Sequence, residues 1–362
     1  MLRVKPLIIA LGFMGLGLTS TAFATDELRE AASANALGDT DWLRGVTIGG
    51  TVEVNAFSNT DYADVETSDI QLATVELAID AQVHKWASAH ILFLYEEDAT
   101  DPPALDAGYI TLGNTDYSPI YLSAGKMYNF GNYETNMISD PVTLEIGEMQ
   151  ETVLLLGMEM QNGLYGSMYV FNGDTSENAN DENKIEHYGA NLGFANDMGN
   201  MNYDVGVGYI SSLGDTGSLT DAMGSNANNV VEYVAGLEAH LYVAAGPFNF
   251  IAEYVAALDP FNAATGVTFN GVGAEPKSWN AELGYTLDIA GRETTFAVGY
   301  QGTDEALVLG LPKTRTLLAA SVGIYDNTSI SLEWAHDKDY DKADGGTGEK
   351  ANTITLQFAV DF

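Results

Sequence analysis

The side chains here with the most chemistry to offer are carboxylates. Asp337, Asp339 and Asp341 alternate along Asp337-Lys338-Asp339-Tyr340-Asp341. That spacing offers hard oxygen ligands of the kind Ca2+ uses, although the remaining ligand spacing of a helix-loop-helix calcium site does not follow. Glu134, Asp140, Glu145 and Glu148 share a stretch, 129–150, that has no Lys or Arg. Held in a wet, narrow place, such a set would select cations. Nucleophilic catalysis finds less support. The five histidines, His84, His90, His187, His240 and His336, are scattered, there is no G-x-S-x-G turn, and there is no cysteine. No enzyme is expected, and no cofactor beyond Ca2+ at acidic loops.

The elements that must position these groups show a period of two. Ile354, Leu356, Phe358, Val360 and Phe362 fall on one face of the C-terminal segment, and Thr353, Thr355, Gln357, Ala359 and Asp361 on the other. Val75 to Val83, Phe296 to Tyr300 and Ile330 to Trp334 alternate in the same way. The spacing predicts sixteen strands, at 44–57, 69–83, 87–97, 105–113, 119–128, 151–160, 164–172, 184–195, 201–212, 228–244, 248–258, 277–288, 292–302, 313–324, 328–337 and 350–362. Most exceed the ~9–11 residues a tilted strand needs to cross a bilayer. The links between them alternate. Long ones are predicted at 58–68, 98–104, 129–150, 173–183, 213–227, 259–276, 303–312 and 338–349, with 129–150 the longest. The short ones, such as Ala245-Gly246-Pro247 and Ile289-Ala290-Gly291, carry hairpin-turn chemistry.

One rim of long loops and one of tight turns is the anatomy of an all-β, transmembrane, antiparallel up-and-down barrel of about 16 strands, with extracellular loops and periplasmic turns. Two aromatic girdles are expected. Trp42, Trp86, Phe248, Tyr325 and Phe362 would mark the turn rim, and Phe57, Tyr95, Tyr128, Trp279, Tyr300 and Trp334 the loop rim. The alternative is a soluble exported β-sandwich, a binding protein or adhesin, which would use shorter strands. A long third loop in porins commonly folds inward, and by that analogy 129–150 narrows the lumen.

Composition agrees. There are 51 acidic residues against 14 basic, a formal charge of −37, so nucleic acid is not an expected partner. The long links hold 23 Asp or Glu and only two lysines, Lys338 and Lys342. They make a cation-attracting mouth. Arg3 and Lys5, the apolar run Leu7–Leu18 and Ala22-Phe23-Ala24 predict a signal peptide over 1–24. Residues 25–43 read as a short periplasmic helix or flexible lead-in, and 44–362 as the barrel.

The segments at 72–98, 105–157 and 163–173, with GNYETNMISDP in the long third loop, resemble the LbtU-like family of siderophore porins. The resemblance is strongest over about 70–173 and the terminal strand. It implies an outer-membrane porin giving passive diffusion, with ferric siderophores and iron uptake as its cargo. The terminal Phe358, Val360 and Phe362 resemble the signal read by the barrel-assembly machinery. Outer-membrane lipids, lipopolysaccharide and a homotrimer are the other partners this reading implies. Longer members of that family carry a coiled-coil stretch before the barrel, where this chain has only 25–43.

Overall fold

The computed structural model describes residues 45–97, 99–177 and 184–362. The predicted signal peptide, the lead-in and Trp42 lie outside these. Sixteen strands close one antiparallel barrel. They are β1 (Val46–Thr60), β2 (Glu66–His84), β3 (Ala87–Glu96), β4 (Thr100–Gly113), β5 (Ile120–Tyr128), β6 (Gln150–Glu159), β7 (Leu164–Phe171), β8 (His187–Asp197), β9 (Met201–Ile210), β10 (Gly236–Ala245), β11 (Phe248–Ala257), β14 (Lys277–Ile289), β15 (Arg292–Asp304), β16 (Thr314–Tyr325), β17 (Thr328–Lys338) and β18 (Lys350–Asp361). The small pair β12 (Thr268–Phe269) and β13 (Val272–Gly273) is a hairpin inside the 258–276 link. Every barrel strand pairs with its sequence neighbour within the barrel, and β1 with β18 closes the ring.

The alternation has the inverted sense that separates a membrane barrel from a sandwich. Ile354, Phe358 and Val360 are exposed on the outside, as are Leu154, Leu156, Leu283, Val298 and Leu332. The faces turned inward carry Glu76, Glu238, Asn249, Glu253, Asn280, Glu282, Gln301 and Glu333, all buried. Outward aromatics gather at both rims. Trp86 meets Tyr117 at 5.6 Å and Phe248 meets Tyr285 at 4.9 Å on the turn rim. Trp279 meets Tyr300 at 5.1 Å on the loop rim. Tyr128 does not join the girdle: its hydroxyl donates to Asp106 at 2.9 Å.

Two predicted loops are shorter than expected, with strand on their flanks. β1 and β2 continue through 58–60 and 66–68, pairing Ser58 with Ser68 and Thr60 with Glu66. These residues are polar on both faces, so no apolar period marked them. The 98–104 segment, with Pro102 and Pro103, was expected to be loop, yet β4 starts at Thr100. The prolines are tolerated because β4 pairs with β3 up to Glu96–Thr100, whereas its pairing with β5 stops at Gly108–Lys126. Of the two consecutive positions one faces this free edge and the other falls in the bulge where β4 has no β3 partner, so neither missing N–H leaves a ladder bond unmade. Conversely, 228–235 was expected to open a strand but belongs to the link before β10. The longest link is 211–235, not 129–149. It holds a helix, α2 (Gly217–Met223), just as α1 (Val142–Gly147) lies in 129–149.

The seam is stitched by the C-terminus. Gly50 and Phe362 exchange both backbone hydrogen bonds at 3.0 Å. A Cβ built on Gly50 would lie 2.7 Å from the Phe362 ring and 2.4 Å from the Glu76 carbonyl oxygen. Deleting Phe362, or replacing Gly50 with leucine, is expected to cut the yield of folded barrel sharply, read as loss of the heat-shifted band on gel electrophoresis.

Candidate lumen constriction

An irregular chain inside a barrel brings backbone N–H groups with no ladder partner, and each needs an acceptor. The 129–149 link crosses the lumen and finds its acceptors on the inner wall. Glu253 on β11 accepts from the Glu134 N–H at 2.7 Å and from the Thr143 hydroxyl. Glu282 on β14 accepts from the Asn136 N–H at 2.7 Å, from its side-chain amide at 3.1 Å and from the Thr135 hydroxyl at 2.8 Å. Glu333 on β17 accepts from the N–H groups of Ile138 (2.6 Å) and Ser139 (3.1 Å) and from the Ser139 hydroxyl. Asn249 donates to the Asn136 side-chain oxygen at 2.8 Å, and Asn191 to the Asn129 carbonyl at 2.6 Å. Hydrogen bonds to charged acceptors contribute ~1.5–3 kcal/mol each. The inward loop is thus held by a belt of wall glutamates.

Its second half is held by apolar burial. Val142, Leu144, Ile146 and Met149 are buried. Most of them join a core with Phe130, Tyr133, Val153, Tyr169, Phe171, Leu213, Leu219 and Val255. The 211–235 link caps this core. Leu213 N–H donates to Val234 at 2.7 Å, and Gly217 N–H to Glu148 at 3.2 Å. Asp215 accepts from the N–H groups of Asp174 and Thr175, tying 172–177 to the same cap. Val230 and Val234 serve this core, which explains why they read as strand residues. A Cβ on Gly147 would meet the Tyr133 hydroxyl at 1.8 Å and Val255 at 3.1 Å. Gly147→Val is therefore expected to unseat α1, at a cost of about 1–3 kcal/mol, measured as a lower thermal midpoint of the detergent-solubilised barrel.

The filled side leaves an open passage along β1–β3 and β15–β18, a cavity of about 990 Å³. Eight carboxylates and a single guanidinium, Arg292, line it. Thr51 bonds to Asp361, the Thr100 hydroxyl donates to Glu96 at 2.9 Å, and Glu97 accepts from Leu72 N–H at 2.7 Å. That last contact satisfies β2 where its register with β1 shifts beside Glu53. Asp140 faces this wall from the loop, within electrostatic reach of Glu96 and Glu53.

The four loop carboxylates expected to line a constriction therefore separate. Asp140 lines the passage. Surrounding protein, then Glu145, Glu96, Glu53 and Glu333, push its carboxyl up to about 7. Its side chain is nevertheless exposed to the passage, so water and counter-ions moderate that rise. Glu134 lies on the opposite side, near Asp204 and His240. Burial first, then repulsion from Asp204 and Glu282, opposed by His240, raise it to about 6. Glu148 is raised to about 7 by burial, then by Asp140, Asp106 and Glu145. Glu145 is exposed and meets the Ser218 hydroxyl at 3.4 Å. Seven of the eight passage carboxylates were missed from sequence; for Glu53, Glu76 and Glu96 the only signal was a carboxylate on the non-lipid face of a strand.

The last-loop aspartates are not brought together. Asp337 takes a two-pronged bond from Arg315 at 2.8 and 2.9 Å. Asp339 accepts from Tyr340 N–H (2.7 Å) and from the N–H and hydroxyl of Thr347 (2.6 Å each), and these bonds hold its carboxyl below the usual range despite some burial. Asp341 is 3.7 Å from Lys338. Among the described residues no group of three or more His, Asp or Glu side chains could hold a metal ion. The histidines serve structure: His90 lies 2.8 Å from Asp80, His240 3.2 Å from both Tyr165 and Glu238, and His336 2.8 Å from Asn352.

No family model matches the chain. It is 32% identical over 359 residues to a UPF0422 protein of Legionella pneumophila (strain Philadelphia 1), covering 88% of this chain and 66% of that one. A UPF0422 protein of Coxiella burnetii is 27% identical over 337 residues, with 88% and 72% covered. The chain thus spans just under two thirds of the length of its Legionella relative. Among solved structures it is similar to Pseudomonas putida OprB (TM-score 0.61, 10% identity, 88% of this chain and 94% of that one). It is also similar to an anion-selective porin from Comamonas acidovorans (TM-score 0.57, 10% identity, 88% and 99%) and to the outer-membrane channel DcaP of Acinetobacter baumannii (TM-score 0.57, 12% identity, 88% and 97%). At such identities the likeness is one of fold, a closed antiparallel β-barrel.

Proposed function

We propose that this chain is an outer-membrane channel of a Gram-negative bacterium that lets small solutes diffuse passively and favours cations. The observation that carries the preference is the passage lining, eight carboxylates against one arginine. The fold alone does not decide selectivity, since one similar barrel is described as anion-selective. Fixed negative charge in a confined, low-dielectric-walled passage raises the local cation concentration and excludes anions. Of the cargo implied by the resemblance to LbtU-like siderophore porins, such a lining suits ferric complexes that carry no net negative charge. Reversal potentials of the refolded barrel in a planar bilayer under a KCl gradient test the reading. A potential near the cation limit supports it; one near zero or of the anion sign rejects it.

A further inference from the structure

We propose that the inner wall formed by β18, β1, β2 and β3 holds a binding subsite for alkyl diammonium cations, with Glu76 as its central ligand. The proposal rests on the cation-favouring reading and names the class of solute. Glu76 is 7% exposed and lines the passage. Its carboxylate accepts no hydrogen bond from another described residue, and its oxygens are not sealed from the passage. The charged groups that act on it, Asp106, Glu53, Glu96 and Asp361, are all negative. A confined carboxylate in that company is stabilised by a cation drawn from the passage, and the wall itself supplies none.

The register sets the geometry. Glu76 pairs with Thr51, and Thr51 with Asp361, so these three share one row across β2, β1 and β18. Glu53 lies two residues beyond Thr51 on β1. Glu96 lies two beyond Leu94, the β3 partner of Glu76. Strand spacing and rise place the Glu53 and Glu96 backbones each about 8 Å from that of Glu76, both toward the loop rim, and Asp361 about 10 Å away along the row. The carboxylates are therefore spread rather than convergent. In agreement, no cluster among the described residues could chelate a bare metal ion. A solute with two ammonium groups on an extended four- to six-carbon chain matches such spread acceptors, with one head on Glu76 and the other on Glu53 or Glu96. A monoamine gains only one of these contacts.

The test is block of K+ current through single channels of the full-length protein. The probes are 1,4-diaminobutane and 1,6-diaminohexane, compared with n-butylammonium at equal charge concentration. The reversal potential is measured in the same bilayers. Wild type is expected to be blocked at a concentration at least ten times lower by a diamine than by butylammonium. Glu76→Gln is expected to abolish that preference while keeping the heat-shifted band of a folded barrel, and Glu53→Gln to weaken it. A cation-selective channel that treats mono- and diamines alike overturns the subsite and leaves the proposed function standing. A channel without cation selectivity overturns both. Undiminished diamine preference in folded Glu76→Gln removes Glu76 as the ligand.

Discussion

Replacing Glu282 and Glu333 together with alanine is expected to release the 135–139 segment from the barrel wall, raise single-channel conductance several-fold and expose 129–149 to protease. Both carboxylates are 1% exposed. Between them they accept the N–H groups of Asn136, Ile138 and Ser139 and two hydroxyls. Orphaning a buried donor costs ~1–3 kcal/mol, so the pair of substitutions costs roughly 2–6 kcal/mol. The apolar half of the loop, anchored by α1, keeps its own burial. The loop should therefore swing about 141–149 rather than leave the barrel. Glu→Gln at both sites keeps an acceptor oxygen and should have a smaller effect. Unchanged conductance and unchanged protease resistance in the alanine variant would show that the wall glutamates do not hold the loop.

The second large effect concerns charge in the passage. At pH 8, where its carboxyl is mostly ionised, Asp140→Lys changes the passage by nearly two charge units opposite Glu53 and Glu96. At ~6 Å in water each unit is worth about 0.7 kcal/mol, so the swap is worth roughly 1.4 kcal/mol, about a tenfold loss in cation over anion preference at low ionic strength. Physiological salt should shrink it, because the screening length falls to ~8 Å. Acidification should act in the same direction. Carboxyls held at about 7 (Asp140, Glu148) and about 6 (Glu134) take up protons as the pH falls from 8 to 5. The lumen then becomes less negative, and the reversal potential should move toward zero. The stability sign is fixed by the same shifts. Groups whose pKa is raised by folding bind protons more tightly in the folded state. The strain they impose is present above about 7 and vanishes as the pH falls to the ordinary carboxyl value of 4.5. The seated loop should therefore melt at a higher temperature at pH 5.5 than at pH 8. A selectivity that ignores both Asp140→Lys and pH would place the filter elsewhere.

Much of the barrel was legible because its information is local. The alternation of Ile354 to Phe362 and the tight Ala290-Gly291 turn with both residues at positive φ are each readable within a dozen residues, and the even strand count follows from adding such local signals along the chain. The inward loop was legible by analogy and by its lack of basic residues. What it touches was not. Glu253, Glu282 and Glu333 look in sequence like any lumen-facing carboxylate, and only closure of the barrel brings them to residues more than a hundred positions away. The passage is lined chiefly by strand acids rather than by the acids of the 129–149 loop. Boundaries failed where burial and strand propensity diverge. Val230 and Val234 are β-branched for the sake of a loop core, and Pro102 and Pro103 occupy strand because one edge of β4 is unpaired and the other bulges there.

The β1–β18 seam also governs the fidelity of assembly. β1 and β18 close the ring, and they also carry Glu53, Gln357 and Asp361 into the passage. A slip of one residue in their pairing would turn lipid-facing side chains inward and be rejected by the membrane. A slip of two would keep every face correct and the ring closed, yet move one bank of charge about 7 Å along the axis relative to the other. Such an isomer would pass as a well-folded barrel while conducting with a different preference. The reciprocal bonds between Gly50 and Phe362 extend the β1–β18 ladder that fixes that register, so Phe362 marks the correct alignment of the two banks of charge.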